Sequence, residues 1–189
     1  MNNKILLLFL VSIFWLSGCP KDDKKDIVNM KRANENFKDG DYEAALALYE
    51  ELILTEGITA QIGAAWCYIR LNEITSANTY FSLAAGDSLI DGYAGWSFTS
   101  WALNDLQGAI DRAGFVIRKN PSYSFSLDSR ITVNHLVWIQ ASSYFQLGNR
   151  TVCVDKMKLL DPSFNPDLNA SNIDQIIAEK LQSLGGVHF

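Results

Sequence analysis

Histidine, cysteine and proline are scarce in this chain of 189 residues, at two, three and four. His135 and His188 stand without Cys or carboxylate partners at ligand spacing, which excludes the usual zinc patterns. No Gly-rich phosphate loop and no Ser-centred nucleophile elbow occur. The sequence therefore gives no reason to expect a metal, a cofactor or catalytic residues. Four prolines and 12 glycines are too few for a fibrous or low-complexity protein. Basic residues number 16 against 21 acidic ones, a net charge of −5, so nucleic acid is not an expected partner. What the chain does have is apolar residues, 48%, enough for one sizeable core.

The N-terminus reads as a targeting segment. Lys4 supplies a positive start, and Ile5 to Leu16 form an apolar run too short to span a bilayer comfortably. Leu16-Ser17-Gly18-Cys19 follows and is similar to a bacterial lipobox. The resemblance implies removal of residues 1–18, lipidation of Cys19 by a palmitate-type chain, and membrane anchoring. An ordinary signal peptide with a chance cysteine is the alternative, although no A-x-A-like cleavage pair is present. Pro20 stands where an inner-membrane retention signal would have aspartate, so an outer-membrane, periplasmic or surface-facing location is expected. Pro20 to Asp26, PKDDKKD, reads as a flexible tether within residues 19–26.

From residue 27 the chain repeats itself. Ala33 and Phe37 share a helix face, Gly40 can end that helix in the left-handed conformation, and Asp41 can cap the next. Tyr42, Ala45, Leu46, Tyr49, Leu52 and Ile53 then follow at three- and four-residue spacing. Equivalent turns fall at Asn72, Asn104 and Gly148. The small residue five positions after each turn is Ala45, Ala77, Ala109 and Cys153, and four later come Tyr49, Phe81, Ala113 and Met157. On the preceding helix the crossing residue is Ala33, Ala65, Ser97 and Ala141. This pattern resembles the tetratricopeptide repeat, a helix-turn-helix unit. The resemblance implies an all-α, right-handed solenoid of about four hairpins, over 27–57, 58–89, 90–121 and 129–162. Residues 163–189 add a capping helix and tail, with the apolar stripe Ile173, Ile176, Ile177, Leu181 and Leu184. Helices are expected over Ile27–Asp39, Tyr42–Thr55, Thr59–Leu71, Ile74–Ala85, Leu89–Leu103, Leu106–Lys119, Ser129–Leu147 and Arg150–Leu160, and from about Ser171. The insertion Asn120 to Asp128 is expected as a loop on one rim.

In such an array the first helices of successive repeats line a concave groove. The register places Met30, Asn34 and Phe37 there, then Ile62, Trp66, Ile69 and Arg70. Asp91, Phe98 and Trp101 follow, then His135, Trp138, Ser142 and Phe145. So aromatic a lining suits an apolar or extended peptide segment, with Asn34 and Arg70 fixing its backbone or carboxylate. Equally, the rings can be covered by the 122–128 loop or the C-terminal tail. Arg70 and Asp91 are expected to face each other. Cys67 and Cys153 read as small core residues, a whole repeat apart and beyond the ~7 Å reach of a disulfide. A membrane-anchored interaction scaffold or accessory subunit of an envelope complex follows as the expected function. A lipoprotein holding a sugar or apolar small molecule in the same groove is the alternative, and a Cys67–His135 thiol–imidazole pair is a remote third.

Overall fold

The computed structural model describes residues 23–87 and 89–185. The lipobox with Cys19, and the tail with His188, lie outside the described residues. The elements are α1 (Asp23–Asp39), α2 (Tyr42–Glu56), α3 (Ile58–Arg70), α4 (Ile74–Leu83), a 3-10 turn (Ala84–Asp87), α5 (Ile90–Ala102), α6 (Leu106–Lys119), α7 (Val133–Gln146), α8 (Arg150–Leu160) and α9 (Ile173–Gly185). No strand occurs among the described residues, only an isolated antiparallel bridge between Ser124 and Thr132. None of the described helices is long and apolar enough to cross a membrane.

Each hairpin closes through the same turn. Gly40, Asn72, Asn104 and Gly148 all have positive φ, from +62° to +85°. In the first turn the Gly40 N–H donates to the Phe37 carbonyl (3.2 Å) and the Asp41 N–H to Asn36 (2.9 Å). This pair of bonds recurs at Asn72 and Glu73, at Asn104 and Asp105, and at Gly148 and Asn149. It is the Schellman closure, which satisfies carbonyls a helix end leaves open. The residue after the left-handed one is already the N-cap of the next helix. The side chains of Asp41, Asp105 and Asn149 each accept an N–H from that helix's first turn, whereas Glu73 makes no such bond. One residue thus ends one helix and the next begins another, which forces antiparallel packing.

Every consecutive helix pair packs from α1 to α8. In addition α1 meets α3, α3 meets α5 and α5 meets α7, while α2, α4 and α6 do not meet one another among the described residues. The first helices therefore lie on the inside of the curve. All twelve register positions are buried: Ala33, Ala65, Ser97 and Ala141, then Ala45, Ala77, Ala109 and Cys153, then Tyr49, Phe81, Ala113 and Met157. Between repeats the fit is close. The Tyr49 ring lies over Gly63 and the Phe81 ring over Gly95, where a Cβ would stand 2.5 and 2.1 Å from the rings.

Helix α9 packs on α7 and α8 through Ile173, Ile177 and Leu181. A bidentate Arg150–Asp174 pair and a Lys180–Asp161 pair at 2.5 Å hold its polar side. Several expected boundaries are corrected, most of them by a single residue. Helix α1 starts at Asp23, so residues 23–26 of the expected tether are helical. Helix α4 stops at Leu83 and tightens into the 3-10 turn, and α5 starts one residue later than expected. Helix α7 starts at Val133 rather than Ser129, because Asp128 captures the Arg130 N–H (3.1 Å) in an Asx turn.

Candidate functional site

The insertion decides what the concave side becomes. Tyr123, Phe125 and Leu127 alternate with Ser124 and Ser126, so an extended chain turns its apolar residues to one side. Backbone bonds from Phe125 N–H to Ile131 O (2.9 Å) and from Val133 N–H to Tyr123 O (2.8 Å) fold the loop back on itself. The loop lies in the trough and not on a rim. Phe125, 3% exposed, stacks on Trp66 at 4.4 Å between centroids and 21° between planes. It also meets Phe37 edge-on at 5.9 Å. Trp66 is 1% exposed and further touches Phe81 and Phe98 edge-on. A charge cluster fastens the loop: Asp128 accepts from Arg70 at 2.5 Å and from Nε and Nη2 of Arg130 at 2.8 Å each. The Arg130 guanidinium, with smaller help from Arg70, holds the Asp128 carboxyl below its ordinary range.

The expected Arg70–Asp91 pair is therefore not formed. Arg70 turns to the loop, and its role as a clamp for a ligand carboxylate lapses with it. Asp91 remains on the inner side of α5. Its backbone carbonyl accepts the Trp66 indole N–H (3.1 Å), and burial raises its carboxyl pKa against the lowering influence of the Tyr123 and Ser126 hydroxyls. Burial, then the nearby Asp91 charge, drives the Tyr123 phenol upward.

The C-terminal half of the trough is covered by α9. Trp138, 8% exposed, donates its indole N–H to the Leu181 carbonyl (2.9 Å). Trp101 meets it edge-on at 5.1 Å and donates to the Ser142 hydroxyl (3.0 Å). Ile69, Phe98 and Phe145 are half-buried against the same core. His135 is buried, and its Nδ1 accepts the Thr132 N–H (3.1 Å) at the start of α7. Cys67 is fully buried, and burial pushes its thiol up to about 12, so it behaves as a core residue and not as a nucleophile. Cys153 is likewise buried and unbridged. Among the described residues no group of His, Cys, Asp and Glu side chains comes together that could hold a metal ion.

What stays open is a cavity of about 690 Å³ beside the loop. Met30, Asn34, Ile62, Trp66 and Asp91 line it from the expected set, with Tyr49, Thr59, Gly63, Leu89 and Ile90 from the helices and their ends. Asn120 and the run Tyr123 to Leu127 form the other wall. Asn34 accepts the Tyr49 hydroxyl at 2.5 Å and so is fixed in place. The register located the helical wall but not the loop wall. The two-residue alternation of Tyr123, Phe125 and Leu127 was the available sign that this segment lies flat against an apolar surface.

Neither known protein-family models nor the sequences of curated proteins match this chain. Solved structures do. MamA AMB-1 superposes with a TM-score of 0.62 at 15% identity, covering 87% of this chain and 85% of MamA. A tetratricopeptide repeat protein from Parabacteroides merdae gives 0.58 at 12% identity, covering 87% of this chain and 61% of that one. A thermophilic tetratricopeptide repeat protein of Thermus thermophilus gives 0.56 at 20%, covering 85% and 83%.

Proposed function

We propose that this chain, whose fold is that of the tetratricopeptide-type helical solenoids, is a non-catalytic interaction scaffold of a bacterial envelope complex. In this reading lipidated Cys19 anchors it to a membrane, the outer one where the host has two, and a protein segment docks on the concave side. The supporting observation is the cavity of about 690 Å³, a recess left on the inner face after the loop and α9 have covered its aromatics. A volume of this order takes a few residues of an extended segment. Apolar walls from Met30, Ile62, Leu89 and Ile90 would provide burial, and Asn34 and Asp91 would provide orientation. The chemistry at the N-terminus supports the anchoring: Cys19→Ala should release the protein from membranes, and continued attachment would overturn that part.

The docking is tested by pull-down from detergent-solubilised native membranes, comparing the wild type with Thr59→Trp. Thr59 is an exposed residue at the cavity wall, so the larger ring blocks the recess without disturbing the core. A protein captured by the wild type and lost by the variant supports the reading; equal capture by both overturns the cavity as the docking site. A second reading, a small-molecule binder, is favoured by one observation. The loop converts an open trough into a recess with convergent polar groups, as a small ligand requires. Native mass spectrometry showing a small molecule retained by the wild type and absent from Thr59→Trp would select it.

A further inference from the structure

We infer that the cavity beside the Tyr123–Leu127 loop binds a primary ammonium group on an apolar stem, supplied by a lysine side chain of the docking segment. The source of the lysine rests on the scaffold reading above; the ammonium chemistry does not. Among the described residues Asp91 is the only charged one lining the cavity. None of the Lys or Arg residues described forms an ion pair with it, and Arg70, the cation that the repeat register brings nearest, is held by Asp128. A half-buried carboxylate without a cation is a standing cost that a bound positive group relieves.

A second group points the same way. The Tyr123 hydroxyl is buried in the cavity wall beside the Asp91 carboxyl, to which it can donate, and among the described residues no group donates to its oxygen. A phenol oxygen accepts as well as donates, and the Asn34 amide oxygen, already fixed by Tyr49, has a second lone pair. An ammonium has three donors and no acceptor, which matches a carboxylate, a phenol oxygen and an amide oxygen. A carboxylate ligand would meet Asp91 with no cation to offset it. The stem would lie along Met30, Ile62 and Ile90.

The test is calorimetric titration of the full chain in detergent micelles with acetylated, amidated hexapeptides of Leu and Ser carrying Lys, Met or Glu at one central position. The Met peptide with a free amino terminus and hexylammonium complete the set. The Lys peptide should bind at least about tenfold more tightly than the Met peptide, a charge-assisted bond's worth, and the Glu peptide should bind least. Asp91→Asn, which keeps shape and removes charge, should abolish that preference, and Tyr123→Phe should weaken it, both with melting temperatures checked. Equal binding of all three peptides, or a preference that survives both variants, overturns the ammonium site while leaving the scaffold standing. Hexylammonium binding that depends on Asp91, with no peptide bound, keeps the ammonium site and overturns the peptide source. Tighter binding of the free amino terminus than of the Lys peptide overturns lysine as that source.

Discussion

Phe125→Ala separates a loop that is part of the core from one that rests on the surface. The ring is 3% exposed, stacks on Trp66 at 4.4 Å and meets Phe37 edge-on at 5.9 Å. Truncating a buried phenylalanine costs roughly 3–5 kcal/mol, and a loop relaxes more readily than a helix, so about 3 kcal/mol is expected. In a domain of this size each kcal/mol lowers the melting temperature by about 2–4 °C, which predicts a fall of about 6–12 °C. Far-UV circular dichroism melting, with urea unfolding to check that the slope is unchanged, measures it. Phe125→Leu should recover part of the loss, and a double-mutant cycle with Trp66→Leu should show a coupling of about 1 kcal/mol. A loss below about 1 kcal/mol would refute the packing argument, because that is the range of surface substitutions.

Other consequences can be checked separately. Gly95→Ala should destabilise by at least about 1–3 kcal/mol in thermal melts, since its Cβ would stand 2.1 Å from the buried Phe81 ring. Asp105→Ala removes a helix cap and the Arg112 ion pair and should cost about 1–2 kcal/mol. Glu73→Ala, at the equivalent turn without a cap bond, should stay within about 0.5 kcal/mol. The attachment of α9 should weaken in acid. The Asp161 pKa is lowered to about 2, by the Lys180 ammonium first and then Ser163, and Arg150 lowers that of Asp174. Carboxyls depressed on folding contribute above their unfolded pKa, near 4, and lose that contribution as pH falls through the folded value. Tryptophan emission, reporting Trp138 under α9, should therefore shift between about pH 4 and pH 2, and should not shift over that window in the Asp161→Asn/Asp174→Asn double variant.

The repeat was legible because each of its positions answers to a local rule. Gly40, Asn72, Asn104 and Gly148 carry the left-handed turns, and the alanines around them mark where helices cross. Helical periodicity also located the residues of the inner face. It left an open groove and one covered by the 122–128 loop as equal expectations, because Phe125 is 59 residues from Trp66 in sequence and no helical pattern links the two. Charge pairing failed for the same reason: Asp91 is the acidic neighbour of Arg70 in the repeat, but the loop delivers Asp128 from 58 residues away. The cavity is the product of that long-range closure, so its helical wall followed from the register, while its loop wall was one of two alternatives until the contacts were seen.

The most direct test of docking on the concave side is site-specific photo-crosslinking in intact cells. A photoreactive phenylalanine analogue would replace Met30, half-buried in the cavity wall, or Leu54, 95% exposed and outside it. A discrete protein adduct from position 30 that is absent from position 54, and lost when Thr59→Trp is added, is the predicted result. Adducts of equal yield from both positions, or none from position 30, would contradict the account.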